Sequence, residues 1–249
     1  MNCVRNLWSV FSRLLTLRRY CNPGQSPLAP LSCSDVQAAV SHSVPPIQLV
    51  RGCHKETVPY TNRAHWVILS PSIERKVGEK LFEYFKKKHS KDILGPSDPS
   101  TARVHLILSD IICGIQEVFP TNSLRDDAKQ GKAAARPQTG HLRDLKWEVI
   151  VMRDKSVNAY SLPGGKIVVF TGLLNVLKTD AEIAAIIAHE AGHIVARHFT
   201  ELTILTPPIL TRLLPFQRRN KLEADLIGMM LLAAAGFDPR TESLRSARS

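Results

Sequence analysis

The sequence predicts a mostly helical α+β domain, and three observations carry that expectation. Four stretches place apolar residues at helical spacing, and two β-branched runs are joined through a Pro-Gly-Gly turn. The third is size: 249 residues, 44% of them hydrophobic, bury one sizeable core and leave little room for two large domains. The expected organisation is a targeting segment at 1–35, a linker at 36–60, the folded domain at 61–240 and a short tail at 241–249.

The targeting segment is read from charge and face. Arg5, Arg13, Arg18 and Arg19 precede any acidic residue, the first of which is Asp35, and they account for four of the eleven net positive charges. Val4, Leu7, Trp8, Phe11, Leu14 and Leu15 share one helical face opposite Arg5, Ser9, Ser12 and Arg13, the pattern of an organellar transit peptide. Part of the basic excess is thereby a targeting signal, and no nucleic-acid partner is expected. The five cysteines, Cys3, Cys21, Cys33, Cys53 and Cys113, show no C-x-x-C spacing, and three precede residue 34, so neither a disulfide framework nor a cysteine metal site is expected. No run of eighteen apolar residues occurs; the nearest, "FTELTILTPPILTRLLPF", is broken by Glu201, Pro207, Pro208 and Arg212.

From residue 22 to about 60 the chain is rich in Pro, Ser and Gly without periodicity, and folding is expected to start near "VPYTNRAHWVILS". A helix follows from about Ser72 to Lys88, where Ile73, Val77, Leu81, Phe82 and Phe85 share a face, and a second from about Thr101 to Val118. Lys86, Lys87 and Lys88 read as a solvated helix end suited to the dipole. Residues 120–145 are polar and uneven and read as a mobile loop. "KWEVIVMRD" and "KIVVFTG" then read as the arms of a hairpin whose turn is Pro163, Gly164 and Gly165. Thr179 and Glu182 form a capping box that opens the next helix, and "RRNKLEADLIGMMLLAAAGFDPR" reads as a last helix ending at Gly236.

The helix after the capping box contains "AAIIAHEAGHIVARH" at 184–198. His189 and His193 project one turn apart from one face and can both reach a tetrahedral ion at roughly 2.0–2.1 Å. Glu190 lies about 100° around the helix, placed to act on a water rather than to ligate. That is the general-base geometry of a zinc peptidase, with one Zn²⁺ per chain. Gly192, a poor helix former between the histidines, suggests a close backbone approach at that turn. The third ligand lies elsewhere. A metzincin needs glycine at 196 and histidine at 199, where this chain has Ala196 and Phe199, and His198 points well off the His193 face. A glutamate on the last helix is expected, and "KLEAD" offers Glu223.

Together "NAYSLPGGKIVVFTGLL", "AHEAGHIVARH" and "EADLIGMMLLAAAGFDPR" resemble the HtpX-like and CAAX-prenyl-protease-like zinc metallopeptidases, and most nearly the Oma-type mitochondrial inner-membrane metalloendopeptidases of plants. "VPYTNRAHWVILSP" fits that subgroup too, so the resemblance covers roughly residues 57–240. It implies a zincin-like, α-rich domain, with the region around Asn158 and Ala159 forming a strand edge near the cleft, where an extended substrate can add as a strand. In the family's second motif the zinc-binding glutamate stands four residues before the aspartate. Counting back from Asp225, that position here is Lys221, and the family serine falls on Gln217 while its arginine is matched by Arg218. Either a shifted helix lets Glu223 take over, or the ion keeps two histidines. The segment between the two motifs looks shortened and the chain stops in "TESLRSARS", as a truncated paralogue would.

The expected function is zinc-dependent hydrolysis of membrane-associated or misfolded polypeptides at the mitochondrial inner membrane, with His189 and His193 as ligands, Glu190 as base and Glu223 as the further ligand. The alternative is a catalytically inactive relative that binds peptides or regulates.

Overall fold

The computed structural model describes residues 54–67, 69–120, 139–203 and 213–237. The targeting segment at 1–35, most of the linker, positions 121–138 of the expected loop and the tail lie outside the described residues. In chain order the elements are β1 (His54–Thr57), β2 (Ala64–Val67), α1 (Pro71–Lys88), α2 (Pro99–Val118), a 3-10 turn at Gly140–Leu142, β3 (Glu148–Met152), β4 (Ala159–Leu162), β5 (Lys166–Phe170), α3 (Thr171–Val176), α4 (Asp180–Val195), α5 (His198–Thr203) and α6 (Leu213–Ala234).

The expected helices form for local reasons. Ser70 caps α1 by accepting from the Ile73 N–H, Asp98 caps α2 by accepting from the Ser100 N–H, and each helix opens on a proline whose missing N–H costs nothing there. Those prolines start both helices one or two residues earlier than the apolar spacing indicates. The Thr179–Glu182 capping box of α4 is present in both directions. At the far end of α6, Gly236 takes φ 78°, while the Phe237 N–H reaches Leu232 O and the Gly236 N–H reaches Ala233 O. This is the paired bonding of a Schellman stop.

The hairpin differs from the sequence expectation. β3 runs parallel to β5 (Glu148 opposite Lys166, Met152 opposite Phe170), and the antiparallel arm is β4, which pairs Leu162 with Lys166 and Ala159 with Val169. The sheet order is therefore β3-β5-β4. The Pro163–Gly165 turn is where it was expected, with Gly164 and Gly165 at φ 80° and 85°, but its first arm is the four-residue "AYSL" and not "KWEVIVMRD". β5 is buried at all five positions because it has strands on both sides and helices on both faces.

Period-2 alternation splits the core into two layers. Val149, Val151, Ala159, Ile167 and Val169 face α2, α4 and α6, whereas Ile150, Met152, Leu162, Val168 and Phe170 face α1 through Leu81, Phe82 and Phe85. A separate antiparallel pair, β1 with β2, lies earlier in the chain. β1 falls within the stretch read as linker; its Glu56 is tied to Arg197 at 2.7 and 2.8 Å, a tertiary contact with no local signature. Part of the expected mobile loop is also packed: His141 is buried and its Nε2 lies 2.9 Å from Val195 O. Among the described residues no helix is long and apolar enough to cross a membrane.

Candidate active site

The site is built where α4, α6 and β4 meet. α4 is buried over most of its surface, and His189 and Glu190 are each only 3% exposed. An isolated buried polar cluster would be costly, so the partners of these groups decide what the cluster is for.

The two expected ligands converge. His189 Nε2 and His193 Nε2 lie 3.1 Å apart. On the other side of each ring, His189 Nδ1 is 2.5 Å from Asp225 Oδ1 and His193 Nδ1 is 2.8 Å from His198 Nδ1. His198 Nε2 in turn lies 2.9 Å from Glu223 Oε2. Burial lowers the His198 pKa against the raising effect of Glu223, so its ring is neutral. With the three rings neutral, one set of tautomers satisfies the contacts to Asp225, His198 and Glu223. His198 donates from Nε2 to Glu223 and accepts at Nδ1 from His193, while His189 donates from Nδ1 to Asp225. Both Nε2 atoms then present lone pairs to one another, a pair of donors that could hold a cation. Two nitrogens held tetrahedrally at roughly 2.0–2.1 Å from one ion sit about 3.3–3.4 Å apart, close to the spacing found. The donor chemistry and the oriented rings fit a zinc ion through these two histidines.

Glu190 projects to the side. Its Oε2 accepts from Ser161 Oγ of β4 at 3.0 Å, and it lines a cleft of about 420 Å³ with His193, Ile194, Lys221 and the β4 stretch from Asn158 to Leu162. β4 has a single strand partner among the described residues, β5, so it is the edge of its sheet and forms one wall of the cleft.

Glu223 is not brought to the histidine pair. Its carboxylate accepts from Thr61 Oγ1, from Arg63 Nε at 2.9 and 3.1 Å, from Arg63 Nη2 at 2.5 Å and from His198. Burial alone would raise its pKa, but the hydrogen bonds from His198, Arg63 and Thr61 bring it down to about 2. Arg63 also bridges to Glu201, with Nη1 at 2.7 Å and Nη2 at 2.8 Å. Lys221 lies on the cleft wall, one turn before Asp225 on the same face of α6, while Glu223 points towards Arg63. Among the described residues no group of three or more His, Cys, Asp or Glu is arranged to hold a metal.

The position of His198 corrects the sequence expectation. α4 ends at Val195, and the chain turns back through Arg197 at φ 56°, so the His198 ring packs against His193 with centroids 4.9 Å apart. Arg197 is held in that left-handed conformation by Glu56, by Glu74 and by Leu69 O, with its guanidinium 1% exposed. No glycine or asparagine marks this stop. Sequence reasoning also missed Asp225, Arg63 and Thr61 as participants; the i,i+4 relation of Asp225 to Lys221 was the one signal for the aspartate.

A buried helix carrying His-Glu-x-x-His beside an edge strand defines the HExxH metallopeptidase class. Residues 128–211 match the profile of peptidase family M48. It is similar to the mitochondrial metalloendopeptidase OMA1 of Arabidopsis thaliana, 33% identical over 80% of this chain and 55% of the relative. The protein of that name from Schizosaccharomyces pombe is 30% identical over 75% of this chain and 55% of its own length, and that from Saccharomyces cerevisiae 27% over 77% and 58%. The resemblance to the Oma-type enzymes read from the motifs is borne out. The chain spans about half the length of these curated relatives.

Proposed function

We propose that this chain is a zincin-like, zinc-dependent metalloendopeptidase of mitochondria that hydrolyses membrane-associated or misfolded polypeptides at the inner membrane. The observation that carries the chemistry is the approach of His189 Nε2 to His193 Nε2 at 3.1 Å, with Glu190 beside them on the cleft. The substrate class and address rest on the similarity to relatives named as mitochondrial metalloendopeptidases.

His189 and His193 would hold the ion, which supplies Lewis acidity toward a water and the scissile carbonyl. Asp225 and His198 keep the two rings turned inward. Glu190 accepts the proton of the attacking water and delivers it to the leaving nitrogen, and Ser161 fixes the carboxylate by donating to Oε2. The edge of β4 offers its backbone to an extended peptide, which aligns the scissile bond along the cleft.

Glu190→Gln tests the assignment. Zinc content should stay that of the wild type while hydrolysis of an unfolded protein substrate disappears, because an amide cannot take the proton. Hydrolysis that survives the substitution removes Glu190 from the mechanism. Lys221 on the cleft wall favours a second reading, a peptide-binding relative without turnover. In that case the wild type would bind unfolded polypeptide and leave it intact.

A further inference from the structure

We propose that Glu223 and His198 form a positioning relay for His193, in which Arg63 and Thr61 pin the Glu223 carboxylate, Glu223 fixes the tautomer of His198, and His198 turns the His193 Nε2 lone pair toward His189. The proposal rests on the reading of His189 and His193 as ligands, and assigns Glu223 a place behind the ligand shell.

The contacts run without a gap. Arg63 Nη2 reaches Glu223 Oε2 at 2.5 Å, Glu223 Oε2 lies 2.9 Å from His198 Nε2, and His198 Nδ1 lies 2.8 Å from His193 Nδ1. His198 is 2% exposed and Glu223 6%, so water does not compete for either bond. The direction of donation follows from charge. An ionised carboxylate only accepts, so His198 must carry its proton on Nε2; a neutral His198 then only accepts at Nδ1, so His193 must carry its proton there. His193 is left with its lone pair on Nε2, the atom that faces His189. The His189–Asp225 contact does the same for the other ring in one step, whereas His193, nearer the end of α4, reaches its carboxylate through a second imidazole.

The relay and direct ligation by Glu223 predict opposite orders of effect. His198→Leu removes the acceptor for His193 Nδ1 and should weaken zinc binding by roughly 10–100-fold. His198→Gln keeps a carbonyl acceptor and should recover much of that loss. Glu223→Gln should cost less than His198→Leu, because an amide oxygen still accepts from His198 Nε2. Zinc titration of the full chain against a competing chelator reads all three. If Glu223→Gln strips the metal while His198→Leu leaves affinity unchanged, Glu223 is itself a ligand and the relay is overturned.

The tautomers provide a readout that needs no metal. Long-range nitrogen–proton spectra of the imidazoles in the metal-free chain, at mildly alkaline pH, should show His193 protonated on Nδ1 and His198 on Nε2. In His198→Leu, His193 should move to the Nε2–H form. A His193 that stays protonated on Nδ1 in that variant overturns the relay even if zinc binds as expected. Conversely, a wild type that takes up no zinc refutes the metal reading, and the tautomer shift still decides the relay.

Discussion

Gly192 of α4 lies so close to Ala224 of α6 that a Cβ on the glycine would come within 2.6 Å of the Ala224 carbonyl oxygen. The contact is reciprocated one turn along, where a Cβ on Gly228 would come within 3.0 Å of Ala188 O and His189 N. Two glycines thus let the helices approach closely enough for Asp225 of α6 to reach His189 of α4.

Gly192→Ala should therefore destabilise the fold although alanine is the better helix former. Wedging a methyl into a closed backbone contact costs about 1–3 kcal/mol, and helix propensity returns about 1 kcal/mol. A net loss of up to roughly 2 kcal/mol is expected in chemical denaturation, together with weaker zinc binding as Asp225 withdraws from His189. An unchanged or raised denaturation midpoint would show that the helices can part without cost.

Acid should unfold the protein through the carboxylates that meet Arg63. For Glu201, burial raises the pKa, but hydrogen bonds from His65 and Arg63 overcome it and bring it to about 2, the value that Glu223 shares. A depressed folded-state pKa means that the stabilisation is fully present above the ordinary value of 4.5 and is lost as pH falls towards 2. Each group is worth roughly 3 kcal/mol on this basis, though the two share Arg63 and do not add. Denaturation midpoints measured across that window should fall steeply in the wild type and less steeply in Glu201→Gln. Equal slopes would mean that Glu201 is not held down by Arg63.

Lys221→Glu should raise zinc affinity by at least tenfold, equivalent to about 1.4 kcal/mol. Position 221 is one turn from Asp225 on the face that meets His189, and Lys221 already lines the cleft beside Glu190 and His193. A carboxylate there adds a third protein ligand and removes a cation from the surroundings of the ion. Affinity unchanged within twofold would place position 221 outside the reach of the metal.

Much of this site was legible in the sequence because its signals are local. The capping box of Thr179 and Glu182, the i,i+4 histidines and the glycine between them each declare themselves within a few residues. The Pro163–Gly165 turn did so as well. The missed features depend on contacts distant in sequence. α4 stops at Val195 because Arg197 is gripped by Glu56 and Glu74, some 140 and 123 residues away, and nothing in "IVARHF" marks that stop. From this follows the misplacement of His198, which an uninterrupted helix would carry away from His193. For β4 the family resemblance implied an edge around Asn158 and Ala159, whereas the residues gave no sign of it: four residues inside a connection have no periodicity of their own, and only pairing with β5 makes them a strand. Arg63 and Thr61 sit in a turn where Tyr60 and Asn62 adopt positive φ, and their role appears only once α6 brings Glu223 alongside.

The central claim is that the histidine pair of α4 is a metal centre, and zinc stoichiometry of the full chain tests it most directly. Equilibrium dialysis followed by metal analysis should find close to one zinc per wild-type chain, close to none in His189→Ala, and wild-type content in Glu190→Gln. A wild type that retains no more zinc than His189→Ala would contradict the account.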